Sequence, residues 1–135
     1  MHTDPSILSQ VKKWIAYGND DLQLVKHSLL MESSCPYRLT AYHAQQCAEK
    51  YLKAFLVCNQ IDFPYTHSVT RLIELVPISL WREDEQERIE ALSVYAITTR
   101  YPGEDEEVTK DEALNAIRLA ELVKDTVGNE LKDVL

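Results

Sequence analysis

Apolar residues recur at three- and four-residue steps over most of the chain, the period of a helix that buries one face. Between residues 36 and 59 the step is kept by Ala44, Cys47, Ala48, Tyr51, Leu52, Phe55 and Cys58. The pattern predicts one long central helix from Pro36 to Asn59, whose small residues let a neighbour approach closely. A second stripe (Ile7, Val11, Trp14, Ile15, Leu22, Val25, Leu29, with Gly18 between them) predicts a first helix over 6–31, capped by Asp4 or Ser6 beside Pro5. Ser33-Ser34-Cys35-Pro36 interrupts the stripe and reads as a serine-capped entry to the central helix. After it comes a loop over 60–66, in which Phe63-Pro64-Tyr65 is expected to pack down as a lid. A short helix from His67 to Val76 follows, capped by Thr66 and stopped by Pro77. A fourth helix is predicted from Glu83 to Thr99. A fifth opens at the Thr109–Glu112 capping box, with Ala113, Ile117, Ala120, Val123, Val127 and Leu131 on one side. Four long helices, one short helix and short connections make an all-α protein, an up-down helical bundle in one domain over residues 1–135.

Composition narrows the picture without changing it. The 135 residues suit one domain, and 3 glycines with 5 prolines supply too few turns for an all-β fold. A net charge of −8 repels phosphate backbones at long range, which argues against a nucleic-acid-coating protein but leaves room for a local basic cleft. No basic-then-apolar leader and no apolar run near ~18 residues is present, so a cytoplasmic protein with no membrane span is expected. The three cysteines, Cys35, Cys47 and Cys58, are expected as free thiols. Cys47 and Cys58 on one helix lie about 16 Å apart, beyond disulfide reach.

Nucleophilic triads, glycine-rich phosphate loops, HExxH and EF-hand patterns are absent, and no cofactor or metal is expected. Asp20-Asp21 and the Glu104–Glu107 run read as solvated acids. The polar residues of the central helix are Arg38, His43, Gln45, Gln46, Glu49, Lys50 and Lys53. On spacing alone Gln45-Gln46 and Lys50–Lys53 read as a wet helix face. Arg38 and His43 form an Arg-x4-His pair, chemically sufficient for metal-free RNA cleavage: the histidine would deprotonate a 2′-hydroxyl and the arginine hold the charged phosphorane. Five residues at 100° each place the two about 140° apart, so they converge only if Arg38 reaches back or a second subunit completes the site.

The stretch Tyr42-His-Ala-Gln-Gln-Cys-Ala-Glu-Lys-Tyr-Leu-Lys-Ala-Phe-Leu56 resembles the central helix of the HEPN family (higher eukaryotes and prokaryotes nucleotide-binding domain). Ala16-Tyr-Gly-Asn-Asp-Asp-Leu22, Thr66-His67-Ser68-Val69 and Arg100-Tyr101-Pro102-Gly103 are similar in wording and fall in the same order. The resemblance spans roughly residues 10 to 125. It implies a helical bundle, often a homodimer, in many cases with a small nucleotidyltransferase as partner; other members are metal-independent ribonucleases or toxins using Arg-x4-6-His. Here that motif maps only onto Arg38 and His43. It opens the second helix rather than lying late in the domain, and the tyrosine of the toxins' His-x-Tyr is replaced in His43-Ala44-Gln45. The expectation is therefore a module that binds a nucleotide or nucleotide-linked substrate, with His43, Gln46 and Lys50 lining a groove and Arg100 and Tyr101 near its rim. A ribonuclease using Arg38 and His43, or a non-catalytic adaptor, are the alternatives. Homodimerisation is expected because Trp14, Trp81 and Phe63 read as incompletely covered.

Overall fold

The computed structural model describes residues 3–96 and 107–135. All regular structure within them is helical: α1 (Pro5–Ser28), a 3-10 segment (Leu29–Ser34), α2 (Tyr37–Cys58), α3 (Val69–Leu75), α4 (Glu83–Glu90), a second 3-10 segment (Ala91–Ala96) and α5 (Lys110–Leu131). No described helix is long and apolar enough to cross a membrane.

The elements begin and end for local reasons. Asp4 caps α1 by accepting from the Ser6 amide at 2.7 Å, with Pro5 in the first turn. Thr109 and Glu112 close the predicted capping box on α5. The serines before α2 do not cap it. Ser34 turns its hydroxyl back onto the Met31 carbonyl, Cys35 intervenes, and Pro36 occupies the cap position. Ser68 rather than Thr66 caps α3, accepting from the Arg71 amide, while the Thr66 hydroxyl is taken by the Ser68 amide. The fourth helix tightens into 3-10 geometry after Glu90, where Thr70 of α3 bonds the Glu90 carbonyl and Ser93. The last three residues predicted for that helix lie outside the described residues.

At the centre of the bundle, α2 packs against α1 on one side and α5 on another. It also meets α3 and the Ala91–Ala96 segment, whereas α1 and α5 touch each other only briefly. Fourteen of its 22 residues are buried. Ala41, Ala44, Cys47, Ala48, Leu52 and Leu56 join Val11, Leu22 and Val25 of α1 and Ala116, Ala120, Val123 and Val127 of α5 in one core. Each large aliphatic side chain removed from water there contributes about 1.5–3 kcal/mol. Gly18 marks a close approach of α1 to α2: a Cβ on it would meet the Tyr51 ring at 3.0 Å.

Two expectations about exposure are overturned. Trp81 is 7% exposed, because its indole N–H finds the Thr126 hydroxyl at 2.9 Å and its ring joins the core. The lid is only half formed. Phe63 packs edge-on to Trp14, while Tyr65 stands 93% exposed. Cys35, Cys47 and Cys58 are free thiols, the first two buried.

The turn between α1 and α2 carries strain. Glu32 sits at φ 55°, ψ −122°, a conformation that a side chain penalises and glycine adopts freely. Its side chain is exposed, so removing it costs no core packing. Glu32→Gly is expected to stabilise the fold by about 1 kcal/mol, read as a raised urea midpoint with unchanged slope.

Candidate functional site

A helix enclosed on several sides leaves its polar residues no water, and the predicted wet face of α2 is in fact mostly interior. Gln45 is 0% exposed, Glu49 2%, Lys53 5% and Gln46 7%. Such groups survive burial only when their donors and acceptors are matched. They are matched here in two clusters.

The first joins α1 to α2. Asp21, read from the sequence as solvated, is buried, and its two carboxylate oxygens are divided between two partners. His43 Nδ1 lies 2.9 Å from Oδ1, and the Lys50 ammonium donates to Oδ2 at 2.5 Å. His43 and Lys50 lie seven residues apart, two helical turns, and so share a face of α2. Their side chains remain 30% and 21% exposed, so the cluster meets solvent through the imidazole and the ammonium. One carboxylate thus fixes the imidazole through Nδ1 and leaves Nε2, which has no partner among the described residues, for an incoming group. The ammonium keeps two of its three protons for further bonds. Beside His43 a pocket of about 190 Å3 opens between Leu24, Val25, Met31, Pro36, Leu39 and Thr40. The Thr40 hydroxyl and that of Ser28 bond each other at 2.8 Å, and Ser28 also bonds the Val25 carbonyl, so the pocket walls are effectively apolar. A neighbouring bond, Tyr51 hydroxyl to Asn19 Oδ1 at 2.5 Å, ties the same two helices together.

The second cluster ties the 59–68 loop to α2. Glu49 accepts from Lys53 at 3.1 Å and meets His67 Nδ1 at 3.1 Å. Gln45 donates to the His67 carbonyl at 2.9 Å and accepts from Gln46 at 2.8 Å. The Lys53 ammonium lies 5.2 Å from the centre of the Trp14 ring and 5.8 Å from that of Phe63, a cation held against two aromatic rings.

The structure therefore brings together His43 and Lys50 of the predicted set, through an aspartate that the sequence did not single out. Gln46 spends its amide on Gln45 in the interior. Arg38 is exposed in the first turn of α2, and no hydrogen bond joins it to His43 among the described residues. Arg100 and Tyr101 lie outside the described residues. Asp21 could have been found by one signal. It falls on the core-facing flank of α1, between Gly18, Leu22 and Val25, where an acid is tolerated only with a partner.

Burial pushes the Cys47 thiol up to about 12, with Asp21 adding to the shift and Lys124 and Lys50 opposing it. Burial likewise pushes the Tyr51 hydroxyl up to about 12, against the lowering effect of its bond to Asn19. Neither group is an activated nucleophile.

Chain-wide comparisons identify the scaffold on which these side chains stand. The HEPN domain family matches residues 11–131. A Methanocaldococcus jannaschii protein named as a candidate toxin is 30% identical over 142 residues, covering 93% of this chain and 91% of its own length. The crystal structure of TT1696 from Thermus thermophilus superimposes with a TM-score of 0.77 at 26% identity, over 90% of this chain and 98% of the other. That of ST0689, an archaeal HEPN homologue, gives 0.70 at 24% identity over 90% and 97%, a likeness of fold.

Two outcomes test the site. Asp21→Asn keeps the shape but removes the charge that the His43 imidazole and the Lys50 ammonium both face. It is expected to cost about 1–3 kcal/mol in urea unfolding, against less than about 0.5 kcal/mol for Arg38→Ala on the surface. Both raised groups favour their protonated forms in the folded state, relative to ordinary values of 9.0 for the thiol and 10.0 for the phenol. The stability they contribute is complete below pH 9 and is lost as pH rises toward 12. Thermal midpoints measured from pH 7 to 11 should fall above pH 9, and less steeply in Cys47→Ala.

Proposed function

The chain belongs to the HEPN domain family, and from that premise we propose that it is the toxin-like helical half of a two-component pair. Its Asp21–His43–Lys50 centre receives a nucleotide or nucleotide-linked group, and a small nucleotidyltransferase is its partner. The observation that carries this reading is the divided carboxylate of Asp21. It holds an ammonium and an imidazole at the surface in fixed positions, so an incoming phosphate meets an ammonium donor whose ordering is already complete, with the His43 ring beside it. The apolar pocket beside His43 is suited to the base, which needs a dry flat surface more than it needs hydrogen bonds. The candidate toxin of Methanocaldococcus jannaschii supports the toxin-like part of the reading. A homodimer fits the same face, where Leu24 is 52% exposed, Met31 51% and Leu39 38%, since exposed apolar groups grouped in this way favour association.

The ribonuclease reading has one observation in its favour: His43 is oriented by a carboxylate, as a proton-transferring histidine requires. Its arginine is not joined to the histidine: among the described residues no hydrogen bond links the exposed Arg38 to His43.

Calorimetry with nucleoside triphosphates, with and without a neighbouring-gene nucleotidyltransferase, tests the proposal. Lys50→Ala is expected to weaken binding by about 1.5–3 kcal/mol, the range for hydrogen bonds to charged groups, and Arg38→Ala to leave it unchanged. If labelled single-stranded RNA is instead cleaved in the presence of a chelator, and cleavage vanishes in both Arg38→Ala and His43→Ala, the ranking reverses.

A further inference from the structure

We propose that the groove between α1 and α5 binds phosphate groups at a second site, separate from the Asp21 centre. The groove encloses about 440 Å3, and its polar lining is Asn19, Gln23, Lys26, His27 and Lys124. No carboxylate lines it, although the chain carries 22 acidic residues against 14 lysines and arginines. In so acidic a protein, a groove whose polar lining holds two ammonium groups and no carboxylate is a local reversal of charge, and the low-dielectric wall of Leu22 and Leu30 concentrates its field.

Lys124 is the telling residue. It is half-buried, and among the described residues its ammonium has no ion pair. Withdrawing a cation from water without a counter-charge is unfavourable, and an anion in the groove removes that cost. Glu121 stands one turn before Lys124, and its carboxylate lies 3.8 Å from Lys26. Both members of that pair are about half exposed, so the contact is weak and opens readily. Asn19 adds a donor: its Oδ1 is occupied by the Tyr51 hydroxyl, which leaves the amide NH2 for a ligand. Two ammonium groups and two amides suit a phosphate, whose several oxygens accept at once, better than a single carboxylate.

The site is independent of the first. Asn19, Gln23 and Lys26 lie roughly 140–160° around α1 from Asp21, on its opposite flank. A phosphate there comes from the tail of a nucleotide or from an RNA backbone.

The experiment uses the full chain, with sodium tripolyphosphate by calorimetry and a short labelled single-stranded RNA by anisotropy over a salt series. The double variant Lys26→Gln with Lys124→Gln is expected to bind tripolyphosphate about tenfold more weakly, as loss of charge-assisted bonds implies. For RNA, the logarithmic salt slope should fall by about 1.4 for two lysines on a single strand. Binding of tripolyphosphate without RNA assigns the groove to a nucleotide tail, and binding of RNA assigns it to a backbone. Either outcome supports the proposal. Lys124→Arg keeps the charge and should retain binding, which guards against a folding defect. Nucleotide binding that depends on Lys50 should persist in the double variant, so failure at one site is distinguishable from failure at the other. Wild-type protein that binds neither probe, or a double variant that binds both as wild type does, overturns the proposal.

Discussion

The structure turns on the enclosure of α2. A helix with neighbours on several sides has little solvent to satisfy its polar groups, so the amides, carboxylates and ammonium groups on its buried faces must be matched within the protein, on α2 itself or from another element. That demand recruits Asp21 from α1 to His43 and Lys50, and His67 from the loop to Glu49, whose other partner is Lys53 of α2 itself. The matched groups do more than avoid a penalty. Apolar packing tolerates small shifts between helices, whereas a carboxylate shared by two donors accepts few geometries. The bonds from α1 to His43, Lys50 and Tyr51 therefore set the register of α1 on α2, and the contact of Gly18 with Tyr51 sets their separation.

What was legible in the sequence follows from which forces act locally. Helical period, proline stops and the Thr109 box lie within a few residues of the structures they specify, and the all-α bundle could be read from them. Caps were harder, because Thr66 and Ser68 lie two residues apart at one helix start and Ser34 turns to a carbonyl behind it, so the outcome depends on the path of the chain. The interior side of α2 was hardest. Gln45, Glu49 and Lys53 look like a solvent face because their types favour water, and only the positions of α3 and the 59–68 loop show that the water is gone. Asp21 was misread for the same reason: its partners are 22 and 29 residues away.

The candidate site was half legible. The pairing of His43 with Lys50 could be expected, since two turns of helix place them on one face. The carboxylate that joins them needed the α1–α2 packing. Arg38 and His43 show the converse: a short motif whose members the helix keeps on different sides. The family relation and the candidate toxin among the relatives fix the kind of scaffold, while the chemistry rests on which side chains the bundle holds at its surface.

The division of contacts around α2 also bears on how the molecule is made. The α1–α2 hairpin joins sequence neighbours, and its Asp21–His43–Lys50 bonds need nothing from later in the chain. The other wall of α2 is covered by α5, which begins more than fifty residues after α2 ends. During synthesis the hairpin can therefore close early, while the wall of α2 that α5 covers waits for a distant helix to reach it. Over that interval the nascent chain displays a long apolar seam, and any helix of suitable shape, including α5 from another copy, is a competitor for the place.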